Sequence, residues 1–235
     1  MEKEQLQKIL ENHKNWLFGK EGEKANLSYA DLSNADLSNA DLRYANLRSS
    51  DLSNVDLRYA NLSSANLDSA DLNSTNLSNA NLNSANLSSA NLNNVDLSNA
   101  DLNSADLRYA DLRYANLRGT NLNDVLSNSN TFMYHLQCPE EGSYIAWKKC
   151  RNEVLVKLLI PEDALRSSAT SRKCRASKAT VLEIIGAEYA VSKHDSTFTY
   201  KVGETLEVED FDTNRWEACS TGIQHFITRS EAESY

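Results

Sequence analysis

The chain has 235 residues, with 24 basic and 33 acidic side chains and a net charge of −9. This length suits one large domain or two modest ones, and the acidity argues against direct, broad binding to nucleic-acid phosphates. No stretch approaches the roughly 20 apolar residues of a membrane helix, and the charged N-terminus lacks the apolar core of a signal peptide. We therefore expect a cytoplasmic protein without membrane association.

Residues 1–24 are predicted to form a short helix and a linker. Apolar side chains recur in this segment at helical spacing and make one apolar face, and two glycines follow it. We expect this helix to cap one end of the next segment through three side chains, Leu10, Trp16 and Leu17. Binding of a partner by the same face is the alternative.

Residues 25–124 repeat a five-residue unit, A(N/D)LXX, twenty times without interruption. A step of five residues rotates an α-helix by a net angle of roughly 140°, and in a strand it alternates the two faces. Neither structure gathers the leucines on one side. A chain that bends at a corner every five residues does so, because each Leu, and the small residue two before it, then faces a common axis. The pattern predicts a solenoid with Leu and Ala inside.

Substitutions at the first position of the unit indicate how many units make one coil. Val55, Thr75 and Val95 replace the usual Ala at intervals of 20 residues. This correlation predicts four units per turn, and hence five coils over the 100 residues of the repeat. The open end of such a stack needs covering, and four apolar residues are the candidates at the C-terminal end: Val125, Leu126, Phe132 and Met133.

The tandem A(N/D)LXX units resemble the pentapeptide-repeat family, whose members form right-handed four-sided parallel β-helices. The implied fold is mainly β: a right-handed four-sided parallel β-helix of five coils over 25–124, an N-terminal helical cap over 1–24 and a small C-terminal α+β domain over 125–235. The handedness follows from the resemblance alone. Family members of the quinolone-resistance type mimic DNA and bind DNA gyrase, so the resemblance also suggests an inhibitor or protector of a type II topoisomerase.

Two sets of outward-facing residues in the repeat are candidate partner-binding sites. On a 20-residue turn four aspartates fall in one acidic row, which resembles the regular charge of a nucleic-acid backbone: Asp31, Asp51, Asp71 and Asp111. Arg and Tyr, which are favoured at protein contacts, form patches near both ends: Arg43, Tyr44, Arg58, Tyr59, Arg108, Tyr109, Arg113 and Tyr114. As the alternative for the acidic row, each aspartate only bonds a backbone group at its own corner. As the alternative for the Arg/Tyr patches, the stacked side chains form ladders that shield strand edges and balance the charge of the aspartates.

The segment 125–235 changes character and is predicted to be rich in antiparallel strands. We expect two strands over 143–161 that turn near Arg151–Asn152, one strand over 173–186, and a hairpin over 197–211 that turns at Val202–Gly203. A strand and a short helix should follow over 222–235. The stretches "WKKC", "IPEDA", "RKCRA" and "STGI" resemble a C-terminal domain found after pentapeptide repeats in bacterial and phage proteins. This resemblance implies architecture and no chemistry.

The segment 125–235 also holds the residues considered for ligand binding, metal binding and catalysis. A basic run forms a candidate patch for an anion, a nucleic acid or another molecule's acidic repeat: Lys148, Lys149, Arg151, Arg172, Lys173 and Arg175. A solvated strand face is the alternative. The four cysteines lack CxxC spacing, which predicts free thiols and no zinc site. Cys219 with His225, and His194 with Asp195, are weak candidates for catalysis, so we predict no catalytic residue and no cofactor.

These observations favour a non-enzymatic, rigid scaffold that binds another protein. In this hypothesis the repeat sets distance and surface, and the C-terminal domain supplies the partner-specific part. Topoisomerase inhibition by DNA mimicry is the alternative. A third hypothesis makes the C-terminal domain an enzyme or an anion-binding module.

Overall fold

The computed structural model describes residues 1–134, 136–216 and 220–235. The chain divides into two compact units, Met1–His135 and Leu136–Tyr235. None of the described helices is both long and apolar enough to cross a membrane. The sequence-based boundaries at 24 and 124 remain a prediction; residues 125–134 belong to the first unit.

The first unit begins with helix α1, Lys3–Leu17, as the apolar periodicity predicts. His13 is the buried residue of this helix, and its Nδ1 accepts a hydrogen bond of 3.0 Å from the Ala25 backbone N–H. Trp16, which we expected in the cap, is instead 38% exposed and packs its ring edge-to-face against Tyr44. Leu10 and Leu17 are half-buried, so the imidazole, and not the indole, is the most deeply packed ring of the helix.

Parallel β-bridges join residues 20 positions apart throughout the repeat. Each bridge falls on the Asp or Asn of the unit, as in Asn26↔Asn46, Asn46↔Asn66 and Asn66↔Asn86. Backbone hydrogen bonds of 2.7 to 2.9 Å accompany these bridges, from Leu27 N to Asn46 O and from Asn46 N to Ala25 O. The bridge interval therefore equals four repeat units.

A tight turn separates consecutive bridges. The first-position N–H donates to the carbonyl of the preceding Leu, three residues earlier, at 2.9 to 3.3 Å. The residue before that first position has a positive φ, as at Asn34 (60°), Asn54 (58°) and Ser84 (57°). A positive φ at the third of four turn residues defines a type II turn, which Gly and Asn adopt with least strain. Asn and Ser fill most of these corners because both are short and polar.

The leucines form the interior of this unit. From Leu27 to Leu117 each central Leu is at most 3% exposed, and the first-position side chains are buried from Ala45 to Ala115. The predicted inward orientation of Leu and Ala is confirmed for these residues. The last one, Leu122, is half-buried.

The parallel β-bridges continue past residue 124, where the A(N/D)LXX pattern has stopped. Asp106 bridges Leu126 at the usual interval of 20 residues. Asp111 bridges Phe132 at an interval of 21, because one residue is inserted between them. Both apolar side chains thus occupy the outward Asp/Asn position, where Leu126 is 53% and Phe132 is 50% exposed. Their expected role in sealing the end was wrong, whereas Met133 takes the inward Leu position and is 7% exposed.

The second unit contains nine short strands, a 3-10 turn and a final helix among its described residues. A four-stranded antiparallel sheet has the order β1-β2-β5-β8: Tyr144–Lys149, Leu155–Ile160, Lys178–Ile185 and Thr205–Glu207. A three-stranded sheet has the order β3-β4-β9: Arg166–Ser168, Cys174–Ala176 and Ile223–His225. Strands β6 (Ala190–Val191) and β7 (Thr199–Tyr200) pair with each other. Helix α2, Arg229–Ser234, begins at a capping box formed by Thr228 and Glu231.

Strand predictions in this unit are confirmed where partners are adjacent in sequence. The β1–β2 hairpin turns at Arg151–Glu153, and the final strand and helix are present. The single strand predicted over 173–186 is wrong, because the chain breaks at Ser177 into β4 and β5, which belong to different sheets. The predicted 197–211 hairpin is also wrong. The turn exists, with Gly203 at φ 86°, but β7 and β8 pair with β6 and β5.

Candidate interaction surfaces

The acidic row is a stack of aspartates whose side chains also bond their own corners. Bridges join Asp31 to Asp51 and Asp51 to Asp71, and Asn91 then separates Asp71 from Asp111. Each carboxylate of the row accepts a hydrogen bond from the backbone N–H two residues later, at 2.9 to 3.1 Å. These are Asx turns, the corner chemistry that Asp and Asn provide equally well. The row therefore has a structural role independent of any partner.

Neighbouring groups affect the charge of the row differently at its two ends: they keep Asp31 ionised, and they offset the charge of Asp111. Hydrogen bonds from the Ser33 hydroxyl and N–H hold the pKa of the Asp31 carboxyl below its usual value. Asp111 forms an ion pair with Arg113, at 2.6 Å between Nη2 and Oδ2. Only Asp31, Asp51 and Asp71 stand in an unbroken acidic line, which is a short segment of the regular charge expected of a nucleic-acid mimic.

The arginines of the Arg/Tyr patches all pair within their own repeat unit. Each guanidinium bonds the Asp two residues earlier, at 2.6 to 2.7 Å: Arg43 with Asp41, Arg58 with Asp56, Arg108 with Asp106, and Arg113 with Asp111. Exposed pairs of this kind contribute about 0–1 kcal/mol to stability. Their main effect is to fix the position of each guanidinium on the surface of its unit.

The tyrosines of the patches occupy the strained corner position. Tyr44, Tyr59, Tyr109 and Tyr114 have φ between 58° and 65° and are 49% to 63% exposed. A bulky side chain in this left-handed conformation costs about 1–2 kcal/mol. Tyr44 contacts Trp16 with ring centroids 6.3 Å apart. Within the described residues the other three rings make no aromatic contact.

Two apolar residues that the sequence analysis assigned to the end cap extend the patch at the C-terminal end of the repeat instead. The Phe132 ring lies under the Arg113 guanidinium, with the ring centroid 5.4 Å from Arg113 Cζ. Leu126 stacks on Asp106. We call the following set the end patch: Arg108, Tyr109, Arg113, Tyr114, Leu126 and Phe132. Aligning residues 20 or 21 apart beyond position 124 was the signal that would have revealed Leu126 and Phe132.

The candidate basic patch is not one surface. Arg175 is 2% exposed and its guanidinium donates to the carbonyls of Thr221 (2.7 Å), Asn214 (2.9 Å) and Asp212 (3.2 Å). This arginine organises buried backbone, so neither a solvated strand face nor a ligand site describes it. Lys148 is also buried, at 6% exposed.

Two arginines of the candidate basic patch lie apart from its lysines. Arg151 is exposed in the β1–β2 turn, and Arg172 pairs with Glu231 at 2.7 Å. Lys148, Lys149 and Lys173 meet in one cleft with two residues that the basic run did not include, Lys193 and His194.

The candidate catalytic pairs are not assembled by the described residues. His225 is fully buried, and its Nε2 and Nδ1 bond the Tyr144 hydroxyl and the Ile223 carbonyl, both at 2.9 Å. Burial lowers the pKa of His225 to about 4, so the ring is neutral and its two nitrogens are occupied. Cys219 lies outside the described residues. His194 and Asp195 are exposed, and the Asp195 carboxylate caps the Thr197 N–H at 2.8 Å.

The described part of the chain has no group of three or more His, Cys, Asp or Glu side chains placed to hold a metal ion. Three cysteines within it, Cys138, Cys150 and Cys174, are buried free thiols.

Comparison with known proteins identifies the repeat. The family model "Pentapeptide repeats (8 copies)" matches residues 23–58, 50–88, 60–99 and 85–124. The pentapeptide-repeat protein alr5209 from Nostoc PCC 7120 is 31% identical over 52% of this chain and 80% of its own, with a TM-score of 0.30. The chain belongs to the pentapeptide-repeat proteins. This pentapeptide-repeat protein also matches, over residues 134–232, a family of unknown function, DUF5758.

Two further solved structures resemble the pentapeptide-repeat protein. Rfr23 from the cyanobacterium Cyanothece 51142 is 39% identical over 43% of this chain, which spans 62% of that protein, with a TM-score of 0.27. QnrB1, a plasmid-mediated fluoroquinolone resistance protein, is 18% identical over 46% of this chain and 83% of its own, with a TM-score of 0.15. No curated protein matches the chain.

Proposed function

We propose that this pentapeptide-repeat protein is a non-enzymatic scaffold that binds another protein through the outer surface of its repeat. The observation that carries the proposal is the end patch, where Tyr109 and Tyr114 are 58% and 63% exposed at corners with positive φ. Asn or Ser fills the equivalent corners of the middle coils at lower conformational cost. Strained, exposed aromatic side chains beside fixed arginines are typical of binding surfaces.

The proposal places the binding surface partly on the repeat, whereas the sequence favoured the C-terminal domain as the partner-specific part. Leu126 and Phe132 add exposed apolar surface to the end patch, and Arg108 and Arg113 supply hydrogen-bond donors in it. Clusters of Tyr, Phe and Arg of this kind form the centres of protein interfaces. The expected partner is a protein with an apolar surface that carries acceptor groups.

A photo-crosslinking residue at position 114 tests this proposal. Benzoylphenylalanine in place of Tyr114 should form covalent products with another protein in lysate of the source cells. The matched control places the same residue at Ser74, which occupies the same corner two coils earlier. Crosslinking at 114 but not at 74 supports the proposal. Equal crosslinking at both positions, or at neither, contradicts it.

We also propose that the repeat is a right-handed four-sided parallel β-helix of five coils, capped by the segment 1–24. The 20-residue bridge interval and the burial of one Leu in each unit support this geometry. Stacked coils should lie about 4.8 Å apart. A crystal structure of the chain would check the hand and the number of coils.

DNA mimicry towards a type II topoisomerase is the second candidate function. The continuous line Asp31, Asp51 and Asp71 favours it. Purified protein should then slow the supercoiling of DNA by gyrase, and the double change Asp51→Asn with Asp71→Asn should weaken that inhibition. Asn preserves the corner hydrogen bonds, as it does at Asn91. An absence of inhibition at micromolar protein would remove this candidate.

A cytoplasmic location and the absence of membrane and direct nucleic-acid binding stay predictions.

A further inference from the structure

The second unit contains a cavity of about 520 Å³, within the range of roughly 300–1,000 Å³ that is usual for small-molecule sites. Lys148 is the one lysine among the described residues that line it. Two aromatic rings, Phe198 and Tyr200, and two hydroxyl groups, those of Ser192 and Thr221, also belong to the lining. We propose that Lys148 binds an uncharged aldehyde or ketone covalently in this cavity, as an imine on its Nζ atom. This site is independent of the end patch on the repeat.

The position of Lys148 in the sheet is unusual for a lysine. Successive residues of a strand point to opposite faces, and Lys148 lies on the same face as Ala146, which belongs to the buried core. Lysines are seldom fully buried unless a carboxylate pairs with them. Lys148 is 6% exposed, yet no carboxylate among the described residues forms an ion pair with it. The burial of Lys148 therefore leaves an amine whose positive charge would be uncompensated.

The Nζ atom of Lys148 lies at the wall of the cavity. It donates to the Gln224 carbonyl at 3.0 Å and lies 5.8 Å from the centre of the Tyr200 ring. Gln224 and Tyr200 both line the cavity, so the amine is placed among lining groups. A neutral amine that donates one N–H to Gln224 keeps a second N–H and a lone pair. The lone pair is the group that attacks a carbonyl carbon.

The surroundings of Lys148 favour the neutral form of its amine. Burial lowers the pKa of Lys148 from 10.5 to about 8, while the nearby Cys150 opposes this shift and the charge of Lys173 adds to it. Burial, followed by the charges of Lys173, Lys148 and Lys193, also lowers the pKa of His194, which lines the same cavity. A pKa near 8 leaves roughly a quarter of the amine neutral at pH 7.5, against about 0.1% for an ordinary lysine. The neutral fraction is the nucleophile in imine formation.

Imine formation in this cavity balances without an oxidant or a reductant. The Nζ lone pair forms a bond to the carbonyl carbon, and the π electrons of the C=O bond move to the oxygen, which takes a proton. The oxygen then leaves as water while the nitrogen forms the C=N bond, so both hydrogens of the neutral amine end in that water. Glu209 and Asp210 of the lining are exposed, so the cavity is open to solvent, which relays the protons and receives the water.

The carboxylates of the cavity indicate the charge of the ligand. Four exposed ones line it, whereas Lys148 is buried: Asp195, Glu207, Glu209 and Asp210. These carboxylates would repel an anionic aldehyde, including a phosphorylated one, and the cationic form of Lys148 disfavours a cation at the inner end. Carboxylates accept hydrogen bonds from ligand hydroxyls. An uncharged carbonyl compound with hydroxyl groups, such as a short sugar, therefore matches this lining.

Reductive labelling of the full chain with glyceraldehyde and cyanoborohydride tests the proposal. The reagent reduces each imine to a stable secondary amine, and peptide mass spectrometry then measures the labelling rate at each lysine. At pH 7.5 Lys148 should be labelled about tenfold or more faster than Lys201, because more of its amine is neutral. Lys201 is the internal reference, since it is exposed and pairs with Glu204. The rate at Lys148 should also saturate with glyceraldehyde concentration, as binding in a cavity requires, and reach half its maximum near pH 8.

Glyoxylate, an anionic aldehyde, tests the charge of the ligand. The ratio of its labelling rates at Lys148 and Lys201 should be several-fold lower than the ratio for glyceraldehyde, and equal ratios would overturn the assignment to an uncharged ligand. Lys148→Arg keeps a long cationic side chain but forms no imine, so the saturable labelling should disappear, with folding verified by circular dichroism. Saturable labelling that persists in this variant would overturn the proposal. So would labelling of Lys148 in the unaltered chain that is no faster than that of Lys201, or that rises linearly with glyceraldehyde concentration.

Discussion

At the scale of single residues, the repeat assigns a fixed role to each of its five positions. Leu fills the interior, a small residue lies beside it, Asp or Asn closes an Asx turn, and the last position adopts a positive φ. The first two roles follow from the sequence, since Leu recurs at every central position and a small residue two positions before it. The solvent-facing roles of Leu126 and Phe132 do not, because both replace the usual Asp or Asn with an apolar residue, and one inserted residue shifts the register of Phe132.

Replacing Leu77 with Ala tests the packing of the interior. Leu77 is fully buried, as are Leu57 and Leu97, which lie 20 residues on either side. The change should lower the free energy of unfolding by about 2–5 kcal/mol, because stacked coils cannot collapse into the gap. Urea unfolding followed by circular dichroism measures it. Leu122→Ala, at a half-buried site, should cost less, and equal losses at the two sites would contradict this packing.

His13 should make the helical cap sensitive to pH. Its Nδ1 accepts the Ala25 N–H, and burial lowers the pKa of the ring below its ordinary 6.5. Asp41 and the Arg43 backbone oppose this shift of the pKa, and the charges of Arg43 and Lys24 add to it. The unfolded chain therefore binds a proton more readily than the folded one. The stabilisation is complete above pH 6.5 and declines as the pH falls through 6.5 towards the lowered pKa of the folded state.

Hydrogen exchange at the Ala25 amide measures this effect. Its protection factor, corrected for the intrinsic exchange rate, should fall between pH 7.5 and pH 5.5. His13→Gln removes the titrating group and should flatten the dependence. A protection factor that is constant with pH in the unaltered chain would contradict a neutral His13 acceptor.

At the scale of elements, local signals were enough where strands are neighbours in sequence and failed where they are not. The β1–β2 hairpin and the last strand and helix were predicted, because a turn or a capping residue adjoins each. Gly203 correctly marked a turn, but its N–H bonds the Val181 carbonyl at 2.9 Å, so β8 adds to β5. A turn residue does not specify which distant strand edge completes the sheet.

Arg175 is buried, although its place in a run of basic residues suggested membership of a surface patch. Arg175→Met should destabilise the second unit by about 3 kcal/mol, because the carbonyls of Asp212, Asn214 and Thr221 lose a donor in a buried site. Tryptophan fluorescence during urea unfolding, in a Trp16→Phe background, reports on that unit. Arg151→Met, at an exposed turn, is the control, and equal effects of the two changes would show that the Arg175 contacts contribute nothing.

At the scale of the whole molecule, the two units differ in how much their sequences reveal. The repeat places Leu at every fifth residue, so its buried interior and its outward-facing rows could be predicted from the sequence. The candidate basic patch in the second unit was mostly misread. Arg175 is buried, and the cleft recruits Lys193 from outside the run through contacts with Tyr235. Such convergence depends on tertiary packing, which sequence spacing does not encode.

The central claim is that the end patch is kept for binding at a cost in stability. The most direct measurement compares the unaltered chain with the Tyr109→Asn and Tyr114→Asn double variant, because Asn suits a positive φ. We predict equal or higher stability in urea. We also predict that the immobilised double variant fails to retain, from lysate, the proteins identified by crosslinking at position 114, which the immobilised unaltered chain retains. Asn79→Ser with Asn99→Ser, at corners of the same kind, should leave both properties unchanged. Retention of those partners by the double variant would contradict the claim.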